Sequence, residues 1–387
     1  MKPIHVLVLI TVMDRAGAET MAMNYMRNID RNIIKYDFLI NRPEKSDFED
    51  EIESLGGKVY HMTSLYPQNL RRYQKEFREF LQEHPYYQII HSHLEERSYY
   101  ALKIATEVGI PVRICHGHSH PTRFNWKLPV RYYLKFMMRK YYTHAMACSK
   151  DVAKWLYGEA MAKNAIIMKN AVDTSVFKKN EEAAKAVREE FGIEDKVVIG
   201  HVGRFAKEKN QKFLVDIFSE IHRRNPNSVL MLVGGGDNKA ENHYKEKIKD
   251  RVREMRLESS VIFTGVRADI ERVMQAFDVF VMPSISEGFP VTLVEAQSIG
   301  IRCVVSDEVS QKCNLTGNVE FLPLELRASV WAGRIMKFLA KPLPETAYKV
   351  VDKGYDVKSS VKKLQSFYIS EVKKSKLAEA SKPYLIE

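Results

Sequence analysis

Cysteine is scarce, with four in 387 residues: Cys115, Cys148, Cys303 and Cys313. No two form a C-x-x-C pair and most stand in apolar, strand-like runs, which excludes a disulfide framework or zinc knuckle and points to buried, reduced thiols in the cytosol. No stretch reaches the roughly 18 apolar residues of a spanning helix, so any membrane contact is peripheral. Long polar or repetitive tracts are missing too, which excludes a repeat array and extended disorder. Nor is there a G-x-G-x-x-G, which counts against a nicotinamide dehydrogenase. Acidic residues are outnumbered, 49 against 60 Lys and Arg, and the resulting +11 calls for an anionic partner. Nucleotide phosphate, nucleic acid or an acidic membrane face would each serve. No RNA- or DNA-binding motif accompanies the charge, so the reading is against nucleic acid.

What is present is alternation. The length exceeds one ordinary core and suits two domains of roughly 150 to 200 residues each. Strand-like runs separated by helix-length amphipathic segments begin with PIHVLVLI, KYDFLIN, GGKVYHM, YQIIHSH, PVRICHG, THAMACS and NAIIMKNAV. Continuous apolar strands between helices mean an α/β fold whose parallel sheet is buried on both faces. The first run carries Lys2, a short apolar core and Ala16-Gly17-Ala18, the outline of a signal peptide. His5 interrupts it and Asp14-Arg15 precede the small residues, so a first buried strand fits better. After a polar connector near residues 173 to 182 the alternation restarts with KVVIGHVGRF, SVLMLVGGG, SVIFTGV, DVFVMPS, IRCVVSD and VEFLPL. We expect two Rossmann-like domains, 1–175 and 176–365, facing each other across a central cleft, with ligands beyond the carboxyl ends of the strands. The tail from Val357 predicts one or two amphipathic helices anchored by Leu364, Phe367 and Tyr368, and its segment 366–387 can return to the first domain.

Several short stretches follow strands, where chemistry is expected. Gly17 opens a helix after the first strand, and a small-residue turn into a helix N-terminus suits a phosphate. Arg204 and Lys209, five residues apart after the first strand of the second half, can converge on one anion, the arginine as a fork and the lysine as a point charge. The glycines of VGGGDN let a backbone approach a ligand closely. In EGFPVTLVEA, Glu287 precedes the Gly288-Phe289 turn, Pro290 can start a helix and Gly300 can end it. Glu295 then rides on that helix, and the free N–H groups of Val291, Thr292 and Leu293 are ready for phosphate oxygens. With the phosphates so met, Glu287 and Glu295 are free to accept hydrogen bonds from sugar and ribose hydroxyls. The bland alternative makes Glu287 a capping loop residue and Glu295 a solvated helix position.

Taken with the Gly-Ala-Glu-Thr turn at Gly17, IMKNAVDTSVF, SISEGFPVTLVEA and VVSDEV, these residues resemble the retaining glycosyltransferases of family 4, with the two-domain GT-B fold. Their wording is most similar to bacterial exopolysaccharide and capsular polysaccharide transferases. The resemblance implies transfer of a sugar from a nucleotide diphosphate donor, a UDP-sugar, to a saccharide acceptor that is lipid-linked. Arg204 and Lys209 would hold the diphosphate as leaving group, with Gly17 against it from the acceptor-binding first domain. Glu287 would contact the transferred sugar, with Glu295 on the ribose and Gly288, Phe289, Val291 and Thr292 lining the nucleotide. The family often has Gly-Gly where this chain has Ala16-Gly17. No cofactor or metal is implied, and no two aspartates are spaced as D-x-D, so cations and helix N–H groups must neutralise the phosphates. His116, His118 and His120 end a first-domain strand, and the resemblance places His118 or His116 near the sugar. Zinc is the rival reading for these three, weakened by the lack of a nearby acid in the sequence. Rival functions are a sugar-nucleotide epimerase of related fold and an inactive partner subunit.

Residues 121–144 hold six Lys/Arg, seven aromatics and no acid. Arg131, Lys135 and Arg139 share one helical face at i, i+4 spacing, suited to an anionic membrane or a lipid diphosphate. The equal alternative is a core helix with a solvated charged side.

Overall fold

The computed structural model describes residues 3–119, 128–236, 239–342 and 345–380. The chain divides into two units, one of residues 1–170 with 357–387 and one of residues 171–356. The expected division lay at 175, with the return at 366.

In the first unit β1 (Ile4–Ile10), β2 (Ile34–Ile40), β3 (Val59–His61), β4 (Tyr87–Ser92), β5 (Val112–Gly117), β6 (His144–Ala147) and β7 (Ile166–Ile167) form a seven-stranded parallel sheet in the order β3-β2-β1-β4-β5-β6-β7. The apolar run after Lys2 is thus a central strand, paired with β2 on one side and β4 on the other. Strand order reverses between β1 and β4, the switch point beyond which such sheets bind ligands. The tail forms one helix, Val357–Ala380. Val357, Val361, Leu364, Tyr368 and Val372 make its buried stripe, at the three- and four-residue spacing that keeps side chains on one face. It packs on the helix Gly17–Asn28 and on β1, β4 and β5.

The second unit carries β8 (Val197–Val202), β9 (Ser228–Val233), β10 (Val261–Gly265), β11 (Val279–Met282), β12 (Arg302–Ser306) and β13 (Val319–Leu322), all parallel, in the order β10-β9-β8-β11-β12-β13. Alternate residues of one strand enter different cores. Val229, Met231 and Val233 join a cluster with Phe280 and Leu293, whereas Leu230 and Leu232 join one with Phe218 and Trp331. Both faces are therefore covered, which explains why these strands are apolar throughout instead of alternating. The switch point lies between β8 and β11.

Gly200 on β8 lets the Phe277 ring lie against the sheet. A Cβ there would stand 2.1 Å from the ring, which is itself buried and has nowhere to retreat. Gly200→Ala is expected to destabilise the second unit by about 1–3 kcal/mol through overpacking, read as a lower urea midpoint. An unchanged midpoint would show that the ring can move aside.

Candidate functional site

At the switch point of the second unit, the segments leaving β8 and β11 come together. Arg204 lies two residues past β8, and Lys209 ends the 3-10 turn Lys207–Lys209. Glu287 lies in the loop between β11 and the helix Val291–Ile299, and its Oε1 accepts a 2.5 Å hydrogen bond from Lys209 Nζ. Both side chains are largely buried, so the pair is poorly screened by solvent. The Ile285 N–H donates to the Glu208 carbonyl at 2.7 Å and clips the same two segments together through their backbones. Arg204 Nη1 donates to Glu241 Oε1 at 3.0 Å, an acid on the helix Lys239–Glu254 that sequence reasoning passed over. Gln211 is another such residue. Fully buried, it donates from Nε2 to the Arg204 carbonyl at 2.7 Å and stands 3.4 Å from Nε2 of the buried His201.

Pro290 caps the helix Val291–Ile299 and Gly300 ends it in the left-handed conformation at φ 92°, as their sequence signals require. Pro290 itself makes no side-chain cap bond at the helix N-terminus. The backbone N–H groups there therefore remain the natural meeting point for an anion. Gln297 fixes the helix in place, donating to the Leu293 and Cys313 carbonyls and accepting from Leu315, Thr316 N and Thr316 Oγ1. Phe289 stacks on Tyr355 with ring centroids 5.0 Å apart, holding the Gly288-Phe289 turn. Glu295 is 4% exposed, which overturns the bland picture of a solvated helix position.

In the glycine-rich turn after β9, Gly234 admits a neighbouring stretch of backbone. Gly234 has φ 142°, and a Cβ on it would stand 2.2 Å from the Gly203 carbonyl oxygen. The backbone it admits is that of Gly203–Arg204, held by Gly203 N–H to Val233 O and Phe205 N–H to Gly235 O, each 2.9 Å.

In the first unit Gly17 begins the helix Gly17–Asn28 at the carboxyl side of β1, and space for a Cβ is open around it. His116 is fully buried at the end of β5 and His118 is partly buried just beyond. His120 lies outside the described residues. The acid missing from the local sequence is supplied by the fold, and a second cysteine joins the adjacent Cys115. Glu95 Oε1 accepts from the N–H groups of His118 and Ser119 at 3.1 and 3.0 Å, and Cys148 Sγ donates to the His118 carbonyl. Burial pushes the Glu95 carboxyl up to about 7, although these hydrogen bonds pull the other way. All four cysteines are buried free thiols.

Two of the three cations on the basic face of the helix Leu128–Met138 are held by other elements, while Arg139 at its end is exposed. Arg131 makes a two-pronged ion pair with the buried Glu96, at 2.6 and 3.0 Å. Lys135 is buried with its ammonium 3.5 Å from the centre of the Trp155 ring, and desolvation pushes it down to about 8. Arg139 donates to the Tyr157 carbonyl. Acid-free in its own sequence, the segment finds its anion on another element. The exposed side is apolar and aromatic instead: Val130, Tyr132, Tyr133 and Phe136, each more than half exposed. No described helix is long and apolar enough to cross a membrane.

The family of glycosyl transferases group 1 matches residues 184–357, which include the Arg204, Lys209, Glu287 and Glu295 segments. Over 375 residues the chain is 33% identical to EpsF of Bacillus subtilis, a glycosyltransferase by name, covering 94% of this chain and 96% of that one. The chain belongs to the group 1 glycosyl transferases. A relative from Escherichia coli, the UDP-Gal:alpha-D-GlcNAc-diphosphoundecaprenol alpha-1,3-galactosyltransferase, is 25% identical over 74% of this chain and 76% of its own length. The structure of Anabaena Alr3699/HepE in complex with UDP and glucose superposes with a TM-score of 0.73 at 18% identity, covering 97% of this chain and 99% of that one. The lipopolysaccharide glycosyltransferase WaaG gives 0.70 at 14% identity, over 94% and 99%. These neighbours establish the GT-B fold, two parallel-sheet Rossmann-like units.

Gly234→Ala is expected to displace the Gly203–Arg204 backbone and cost about 1–3 kcal/mol of stability. Urea unfolding reads the loss, and a variant as stable as the parent would mean the close approach is dispensable.

Proposed function

We propose that this glycosyl transferase moves a sugar, with retention of anomeric configuration, from a UDP-sugar to a lipid-linked saccharide acceptor in exopolysaccharide or capsule biosynthesis on the cytoplasmic side of the membrane. The observation that carries the reading is the gathering of Arg204, Lys209 and Glu287 at the strand ends of the second unit, beside the N-terminus of the helix Val291–Ile299. Two cations and a row of backbone N–H groups suit a diphosphate. Support for the donor and acceptor classes comes from the Escherichia coli relative, whose name gives UDP-galactose as donor and a diphosphoundecaprenol-linked sugar as acceptor.

In this mechanism, donor binding draws Lys209 from Glu287 and Arg204 from Glu241, and the phosphate oxygens replace the carboxylates. The positive charges then stabilise the diphosphate as it departs, so transfer proceeds without a bound metal on the phosphates. Attack comes from the face the leaving group vacates, and the departing phosphate takes the acceptor's proton. Freed from Lys209, Glu287 accepts hydrogen bonds from hydroxyls of the sugar, while Glu295 holds the ribose. The first unit, with Gly17 at its first strand end, takes the acceptor.

Glu287→Ala is expected to lower kcat by 100-fold or more with little change in UDP affinity, since it serves the reacting sugar. Glu295→Gln is expected to weaken UDP binding about tenfold, the effect of losing roughly one charge-assisted hydrogen bond. Radiolabelled transfer assays and calorimetry measure the two. If neither quantity moved in either variant, both acids would be structural. Release of free sugar-nucleotide epimer without any acceptor would favour an epimerase.

For the lipid-linked acceptor, contact with the membrane is assigned to the aromatic side of the helix Leu128–Met138. Tyrosine and phenylalanine rings suit the interfacial region, and the net charge of +11 favours an anionic surface. Changing Tyr132, Tyr133 and Phe136 together to Ser should abolish co-sedimentation with anionic liposomes. Binding equal to that of the parent would sink this assignment.

A further inference from the structure

Strands β4 and β5 run side by side, and each ends in histidines at alternate positions: His91 and His93 on one, His116 and His118 on the other. Alternate residues leave a strand on the same face. The pairing of His91 with Ile114 and Ser92 with Cys115, continued by one residue, sets His93 beside His116. Four imidazoles are thereby gathered in the first unit, with ring centroids 4.4 Å apart for His91–His93 and His116–His118, and 5.0 Å for His93–His116.

A neutral imidazole carries one N–H and one lone pair. His91 Nε2 stands 3.0 Å from His116 Nδ1, and His93 Nδ1 stands 2.7 Å from His118 Nε2. Among the described residues, His116 Nε2 and His118 Nδ1 are buried with no hydrogen-bond partner. That is a costly arrangement for a purely structural cluster. One nitrogen from each of His91, His93 and His116 lies within 4.8 Å of the others. In a tetrahedral zinc site ligand nitrogens stand roughly 3.4 Å apart, so the three rings would turn and draw together to close on an ion.

We propose that His91, His93 and His116 bind a divalent transition-metal ion of the zinc class, with His118 hydrogen-bonded to His93 beside them. The surroundings supply what such a site needs. Tyr368 on the returning helix places its hydroxyl 2.6 Å from His91 Nδ1 and 2.9 Å from the Tyr36 hydroxyl. If Tyr368 accepts from Nδ1–H, the lone pair of His91 Nε2 is turned toward His116, as outer-shell partners of metal-bound histidines do. Glu95 is buried against the His118 backbone, which fixes the end of β5. The ion would join β4 to β5 and, through Tyr368, to the C-terminal helix. It has no part in the diphosphate chemistry proposed for the second unit.

The test uses the full chain, stripped with a chelator and titrated with Co2+ and Zn2+. One equivalent of Co2+ per chain should bind with the ligand-field bands of a tetrahedral site and be displaced by Zn2+. Zn2+ should also raise the thermal midpoint. In a His91→Gln, His116→Gln double variant, affinity should fall at least 100-fold while a cooperative urea transition shows the fold retained. Should that variant not fold, the imidazole 15N shifts of the parent decide: movement of the His91, His93 and His116 resonances with one equivalent of Zn2+ supports the site. The proposal is overturned by no stoichiometric binding, by binding that survives in the folded double variant, or by unmoved 15N shifts. A hydrogen-bonded imidazole relay without metal would then be the correct description. No arm measures sugar transfer, so the outcome is independent of the proposed function.

Discussion

Parallel sheets covered on both faces leave a protein few places to be polar. In the second unit Val229, Met231 and Val233 face one apolar cluster, and Leu230 and Leu232 face the other. Strand interiors are closed to charge, because an unpaired ionised group there costs several kcal/mol or more. Polar groups collect where the strands stop, and at the switch point two neighbouring strands send their chains apart. Arg204, Lys209 and Glu287 follow β8 and β11 for that reason, and the histidines of β4 and β5 obey the same rule in the first unit.

Charge at these ends is held in opposed pairs. Lys209 with Glu287 and Arg204 with Glu241 stand as ion pairs, and the chain carries its cations poised without leaving them as bare like charges. Such pairs can be exchanged. In the proposed mechanism a diphosphate would take the place of the two carboxylates and leave the acids to hydroxyls, which would give a basic protein reason to keep acids at an anion site. The backbone clip from Ile285 to Glu208 and the polar hub around Gln297 keep the partners in register through that exchange.

Local sequence misleads where a partner comes from far along the chain. The segment around Arg131 contains no acid, yet Glu96 neutralises it from another element and Trp155 takes the ammonium of Lys135. The glycines after β9 invite a ligand in the sequence, whereas the molecule uses Gly234 to admit its own Gly203. No acid stands beside the histidines of CHGHSH, and the fold brings Glu95 to them. In each case the pattern was real and the neighbour was missing.

The sequence by itself determined the two alternating halves, the parallel sheets, the helix between Pro290 and Gly300, and Gly17, Arg204, Lys209, Glu287 and Glu295 as residues that follow strands or begin helices. Those features rest on period, turn chemistry and distance along the chain, all local properties. Tertiary structure alone decided which charge meets which, that Glu295 is buried, and that the exposed side of the helix Leu128–Met138 is aromatic. It also set His91 and His93 of YQIIHSH beside His116 and His118 of CHGHSH, and Tyr368 behind them. The alternating histidines of both strands could have been noticed in the sequence, but their adjacency could not. It depends on the order of strands in the sheet and on a helix returning from the far end of the chain, which only the packing of the two apolar faces fixes.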